Sequence, residues 1–366
     1  MKVAIVHFVL LYMSGAEKVL EALCELYPDA DIFTHVYKPE KISSFIRSHN
    51  IQTTFINKLP GAAEYYQYYL PLMPYALEQL DLSEYDLIIS GESGPTKGIV
   101  PGPDSFHICY CHSPMRYVWD MYHEYTDRKS MFLKPPLAYF VHKLKIWDHS
   151  TASRVDTFVA NSSFISRRIK KYYRRESIII SPPVNTEEFK SADNIGDYYL
   201  WLGRFIQYKR PDLAIDAFNK MGKKLVMIGE GEELADCKAR ALNNIEFLGF
   251  QPIEVVKEML AGSRALIFPG IEDAGITPVE SMASGRPVIA YNKGGIQDTV
   301  IDGKTGVLFN EQTSISLQEA VVEFETNIDD FNPTLIVKHA QQFSKDHFKK
   351  SFEKIVQEEL NKYCIT

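Results

Sequence analysis

Two carboxylates stand eight positions apart in the stretch Glu272-Asp273-Ala274-Gly275-Ile276-Thr277-Pro278-Val279-Glu280, which runs on through SMASGRPVIAYNKGG. Paired carboxylates read vicinal hydroxyls well, because an ionised carboxylate only accepts hydrogen bonds. An apolar run at 265–269 precedes them and residues 279–283 have helical composition, so the segment predicts a strand, a glycine turn and a helix N-terminus. Free backbone N–H groups at such a turn favour anions and hydroxyl-rich ligands. Glu272 then falls in the loop and Glu280 about one turn into the helix, both able to face a crevice at the carboxyl end of a parallel sheet. The competing reading is a helix whose first turn is acidic only to suit its macrodipole.

A second constellation lies upstream. Residues 198–203, Tyr-Tyr-Leu-Trp-Leu-Gly, read as a buried strand, and residues 212–221 read as a helix. The loop between them carries Arg204 and Lys209. A guanidinium grips oxyanions in a fork and an ammonium acts as a point charge, so two cations at one loop suit a diphosphate. A solvated pair of loop cations is the plain alternative.

With these residues in view, the chain resembles the retaining glycosyltransferases of family 4. The donor half of that family is matched by Gly203-Arg204…Lys209 and by Glu272…Glu280 with Gly285 and Pro287. The other half is matched by Ser14-Gly15-Ala16-Glu17 and by Cys111-His112-Ser113-Pro114-Met115-Arg116-Tyr117-Val118-Trp119-Asp120. The likeness is to the bacterial branch of mannosyltransferases that build polysaccharide and O-antigen chains, and it runs from Met1 to about residue 350. It implies an α/β chain of GT-B fold, two Rossmann-like parallel-sheet domains facing a central cleft. The first loop departs from the usual Gly-Gly pattern, with Ser14 in place of a glycine.

Those motifs require elements to hold them. Strand-like and helix-like segments alternate, as in a parallel sheet covered on both faces. Strands are expected at 2–8, 31–36, 86–90, 106–111, 156–160 and 177–180, and again at 198–202, 224–228, 245–248, 264–268, 287–290 and 306–308, with an early helix at 15–26. The domains expected are 1–180 on the acceptor side, a proline-led linker at 181–197, a nucleotide-sugar domain at 198–344, and a helix at 345–366 that by resemblance packs back on the first domain. The aromatic run at 65–69 reads either as core or as the lining of an acceptor groove.

Composition narrows the class. Apolar residues at 45% and charged residues at 24% suit a globular chain long enough for two cores. The five cysteines are scattered, without the spacing of a metal site, and read as reduced thiols of a cytosolic protein. No run approaches a membrane span of about twenty residues, and the apolar opening reads as the first strand rather than a signal peptide. The net charge of −7 conceals a basic stretch: between Arg128 and Arg175 twelve basic residues face two acidic ones, interleaved with Phe132, Tyr139, Phe140, Trp147, Tyr172 and Tyr173. Arg167, Arg168, Lys170, Lys171, Arg174 and Arg175 are its densest part, read as a face toward an anionic membrane. A solvated basic helix is the alternative, and the overall acidity disfavours nucleic acid.

The resemblance supplies roles. Arg204 and Lys209 stabilise the leaving diphosphate without a metal. Glu272 binds hydroxyls of the donor sugar near the backbone of Gly275, Ile276 and Thr277. Glu280 holds the ribose, and Gly15 and Gly203 allow close backbone approach. His112 contacts the donor sugar near the reaction centre, with Ser14, Arg116 and Asp120 in the same pocket. No protein cofactor is expected. The substrates expected are a nucleotide diphosphate sugar, GDP-mannose first and UDP sugars second, and a lipid-linked saccharide at the cytoplasmic membrane face. An inactive sugar-nucleotide-binding scaffold and a nucleotide-sugar epimerase are the other classes the same residues permit.

Overall fold

The computed structural model describes residues 1–123 and 134–365. The chain divides into two compact units, Met1–Ser181 with Phe348–Thr366, and Pro182–His347. Residues 182–197, expected as a linker, belong to the second unit: Val184 is buried and its N–H donates to the Phe343 carbonyl at 2.9 Å.

In the first unit the strands are β1 (Val3–His7), β2 (Asp31–Thr34), β3 (Ile51–Thr53), β4 (Leu87–Glu92), β5 (Phe106–Cys111), β6 (Thr157–Ala160) and β7 (Ile178–Ile179). They form a parallel sheet in the order β3-β2-β1-β4-β5-β6-β7. Strands β1, β4 and β5 are buried at every residue, the continuous apolar pattern of a parallel sheet covered on both faces. The β3 strand escapes sequence reading because Ile-Gln-Thr carries one apolar residue in three.

The second unit repeats the plan with β8 (Tyr199–Leu202), β9 (Leu225–Ile228), β10 (Ile245–Gly249), β11 (Leu266–Phe268), β12 (Val288–Tyr291) and β13 (Gly306–Phe309), in the order β10-β9-β8-β11-β12-β13, all parallel. In both sheets the chain winds outward from a central strand, then returns to wind the other way. The reversal falls between β1 and β4 in the first unit and between β8 and β11 in the second. In open α/β sheets the loops at the carboxyl ends of the strands part at such a reversal, and ligands bind in the crevice between them.

The helix Lys345–Ile365 closes the first unit. Phe348, Phe352 and Val356 are buried in the same apolar cluster as Leu23, Ile108 and Tyr110, and Lys349 Nζ lies 2.9 Å from Glu25. The aromatic run is core in part. Tyr66 and Tyr69 pack against Val9, Val36 and Ile56, while Tyr65 and Tyr68 are exposed.

Candidate functional site

The reversal of the second sheet gathers the residues expected on the donor side. The loop after β8 holds Arg204, exposed, and Lys209, which turns back so that its Nζ lies 2.6 Å from Glu272 Oε1 in the loop after β11. The two side chains are 15% and 22% exposed, enclosed but reachable by a ligand. Lys209 can take this course only over a glycine: a Cβ on Gly203 would stand 3.1 Å from Lys209 Cδ and 3.3 Å from its Nζ. The Ile271 N–H meets the Tyr208 carbonyl at 3.4 Å, joining the two loops through their backbones.

Gly275 then starts the helix Ile276–Ala283 as its N-cap at φ +93°, a left-handed conformation that an L side chain enters only with strain. The N–H groups of Ile276 and Thr277 lie in the first turn, which has no side-chain cap, and the positive end of the helix dipole stands at the turn. Glu280, five residues into the helix, is 7% exposed. Sequence spacing thus placed Glu272 in the loop and Glu280 in the helix, but it gave no sign that Lys209 and Glu272 are partners. The Glu272 carbonyl also accepts the Gly295 N–H at 2.8 Å, so the glycine pair at 294–295 fixes this loop, a role the sequence reading did not give it.

The reversal of the first sheet holds a second cluster. Ser14, at φ −133°, is unstrained as the N-cap of the helix Gly15–Leu26, and Gly15 is the first residue of that helix. The Ser14 N–H and hydroxyl both donate to Glu17 Oε2, at 2.9 and 2.5 Å. The serine that departs from the usual glycine is therefore a capping residue whose hydroxyl is committed inward. Glu17 Oε1 meets His7 Nε2 at 3.1 Å, both side chains being buried. Burial pushes the Glu17 carboxyl up, but the bonds from His7 and Ser14 outweigh it and leave its pKa below the ordinary value.

His112 follows β5. Its N–H donates to the Glu92 carbonyl at 2.9 Å, its own carbonyl accepts from Asn161, and its ring packs edge-on against Tyr110 at 5.1 Å. Burial, helped by His7 and opposed by Glu17, pushes the His112 imidazole down to about 4, so it is neutral at ordinary pH.

The residues following His112 mostly hold it in place. Met115 and Val118 are fully buried, and the Trp119 indole N–H donates to Asp148 at 2.7 Å. Asp148 in turn pairs with buried Lys97, which also reaches Glu92 at 3.4 Å. Asp120 forms an ion pair with Arg168, whose other guanidinium nitrogen donates to Ser113 at 2.9 Å. Arg116 is half-buried in the same segment.

This corrects part of the basic-face expectation. Arg168 is 7% exposed and serves the His112 loop, and Arg175 donates to the Ala152 and Asp156 carbonyls. Arg167, Lys170, Lys171 and Arg174 remain exposed, Lys170 with Glu176 at 2.6 Å. The Arg128 and Phe132 end of that stretch lies outside the described residues.

An open cavity of about 710 Å³ lies at the opposite, amino-terminal end of the second sheet, lined by Tyr199, Lys223, Lys224, Asn244 and Glu325 among others. Glu325 there is already taken by Lys223 and Tyr199, each at 2.8 Å. It brings together none of the residues considered above. Among the described residues no three His, Cys, Asp or Glu side chains converge as a metal site.

Residues 165–346 match the family model "Glycosyl transferases group 1". An uncharacterized glycosyltransferase of Methanocaldococcus jannaschii is 30% identical over 208 residues, 55% of this chain and 57% of that protein. The alpha-1,3/1,6-mannosyltransferase ALG2 of Dictyostelium discoideum is 27% identical over 252 residues, with the same shares. The chain thus spans a little over half the length of these curated relatives. Among solved structures, Anabaena HepE in complex with UDP has a TM-score of 0.68 at 17% identity, covering 98% of this chain and 100% of that one. Sucrose-phosphate synthase from Thermosynechococcus elongatus has a TM-score of 0.73 at 15% identity, covering 98% and 99%. Likeness at such identity speaks to fold alone. Residues 165–346 are thus similar to the glycosyl transferases group 1 domain, in a chain whose two parallel-sheet units have the GT-B fold.

Proposed function

We propose that the chain transfers a hexose from a nucleotide diphosphate sugar to a saccharide hydroxyl, retaining the anomeric configuration. The observation that carries this reading is the Lys209–Glu272 pair at 2.6 Å, at the sheet reversal beside the glycine-capped helix Ile276–Ala283 and inside the matched residues. Arg204, Lys209 and the helix N-terminus take the charge that develops on the departing diphosphate. Glu272 accepts from sugar hydroxyls and Glu280 from those of the ribose. His112, neutral in the fold, offers hydrogen bonds to the sugar rather than a charge. The bond from the anomeric carbon to the diphosphate breaks, the acceptor oxygen bonds to that carbon on the same face, and the acceptor proton passes to a phosphate oxygen. No protein carboxylate acts as nucleophile.

The donor proposed first is GDP-mannose, in keeping with the mannosyltransferase relative, and the acceptor is a lipid-linked saccharide of cell-surface polysaccharide synthesis. UDP sugars are the second reading, favoured by the UDP and UDP-glucose carried by structures of like fold. Exposed Arg167, Lys170, Lys171 and Arg174 would meet anionic lipid at the cytoplasmic membrane face. No helix among the described residues is long and apolar enough to cross a membrane.

A thermal-shift panel of GDP, UDP, ADP and their sugar conjugates, followed by nucleoside diphosphate release with saccharide acceptors, tests this reading. One base should stabilise the fold and its sugar should be transferred, with the product anomer read by NMR. Conversion of the donor without acceptor would mark an epimerase. Binding without any turnover would mark a scaffold.

A further inference from the structure

The reversal of the first sheet places two imidazoles around an empty space. His7 ends β1 and stands opposite Gly91 of β4 in the parallel register. A Cβ on Gly91 would lie 3.4 Å from His7 Nδ1 and 3.7 Å from His112 Nε2, with the Val6 carbonyl at 3.9 Å. The absent side chain of Gly91 therefore leaves a gap of about one heavy atom, flanked by one nitrogen of each ring. Neither of those nitrogens has a hydrogen-bond partner among the described residues, although His7 is 3% exposed and His112 is half-buried.

Glu17 settles which nitrogen of His7 carries the proton. Its Oε2 receives the Ser14 N–H and hydroxyl, and its Oε1 faces His7 Nε2. An ionised carboxylate only accepts, so His7 in its neutral form must donate from Nε2, which leaves Nδ1 as a bare acceptor aimed at the gap. Neutral His112 can present Nε2–H from the other side. A hydroxyl is the small group that donates to one imidazole and accepts from the other.

We propose that the gap over Gly91 is a hydroxyl-binding subsite, in which His7, its tautomer fixed by Glu17, and His112 together hold one hydroxyl of the saccharide substrate. This rests on the reading of the chain as a sugar transferase, and it adds His7, Glu17 and Gly91 to the groups that orient the sugar.

The test is long-range ¹H–¹⁵N NMR on full-length protein labelled at histidine, at about pH 8, above the ordinary histidine value of about 6.5, with His7 assigned by loss of its signals in His7→Phe. The expected spectrum shows His7 protonated at Nε2. Addition of GDP-mannose, or of UDP-glucose if UDP is the base that binds, should shift His7 Nδ1, whereas the nucleoside diphosphate alone should not. A shift common to both, or seen with neither, overturns a saccharide occupant and leaves the gap to water.

Glu17→Gln offers one acceptor oxygen where two are used. With that oxygen on Ser14, its amide N–H faces His7 Nε2 and drives the proton to Nδ1. Gly91→Ala fills the gap with a methyl at ordinary contact distances, so the melting temperature should hold within a few degrees while sugar transfer falls at least tenfold. A wild-type His7 protonated at Nδ1, or a Gly91→Ala variant transferring sugar within twofold of wild type, would overturn the proposal. The tautomer is read without turnover, so a wild-type chain that transfers no sugar defeats the transferase reading separately.

Discussion

Replacing Lys209 by Met should weaken nucleoside diphosphate binding about tenfold without unfolding the second unit. The ammonium has the right chemistry for a diphosphate oxygen, and a hydrogen bond to a charged group contributes about 1.5–3 kcal/mol. In the fold that ammonium lies 2.6 Å from Glu272. A phosphate must therefore displace or share the carboxylate, and the net loss lies near the lower figure, a factor of roughly ten in affinity. Glu272, left alone at 22% exposure, turns to water, so the stability cost stays within about 1 kcal/mol.

The reciprocal change has the opposite sign. Glu272→Gln frees Lys209 and removes a negative charge from the phosphate site, so the nucleoside diphosphate should bind about threefold to fivefold more tightly, an effect of roughly 1 kcal/mol at intermediate screening. The sugar conjugate loses its carboxylate and should not share the gain. Calorimetric titration of the base chosen by the thermal panel, against both single variants and the double variant, resolves the coupling. The reasoning is refuted if Lys209→Met binds the diphosphate as wild type does, or if Glu272→Gln weakens the diphosphate and its sugar conjugate equally.

Other outcomes follow from the same structure. Gly275→Ala places a side chain at φ +93° and should destabilise the second unit by about 1–3 kcal/mol, read as a lower melting temperature; an unchanged melting temperature would show that the turn relaxes freely. Phe352→Ala opens a cavity in the core of the first unit from a helix far along the sequence, and should cost about 3–5 kcal/mol by urea titration; a loss under about 1 kcal/mol would mean that the helix is not integral to that unit. Burial lowers His35 to about 3, and His107 and His112 each to about 4. Below the unfolded value of about 6.5 the unfolded chain takes up protons that these buried rings refuse. Their contribution is thus fully present above that pH and is lost as pH falls toward about 4, with a slope of up to roughly 4 kcal/mol per pH unit if all three titrate. A urea midpoint for the first unit that stays flat from pH 7 to 5 would contradict this.

Much of the fold was legible because parallel strands buried on both faces are runs of apolar residues with little else in them. Residues 87–90 and 106–111 announce themselves in this way, and the helix Gly15–Leu26 begins where Ser14 and Glu17 form a capping pair. The strand Ile51–Thr53 did not, since its place is set by pairing with β2 rather than by its own pattern. The site was legible as residue types at spacings: cations after β8, carboxylates around Gly275, a histidine after β5.

What local pattern cannot carry is which distant side chains meet. Arg168 sits in a run of basic residues and reads as surface, yet helix geometry turns it inward, where Asp120 and Ser113 receive it. Periodicity, capping and glycine placement act over a few neighbouring residues, so the chain's own pattern located most of the strands and the loops that carry chemistry. Only the tertiary structure decided that Lys209 pairs with Glu272, that Glu17 fixes the proton on His7, and that Gly91 leaves a gap between His7 and His112. Those relations depend on strand order, register and the seating of helices on the sheet, which join residues from ten to about a hundred positions apart.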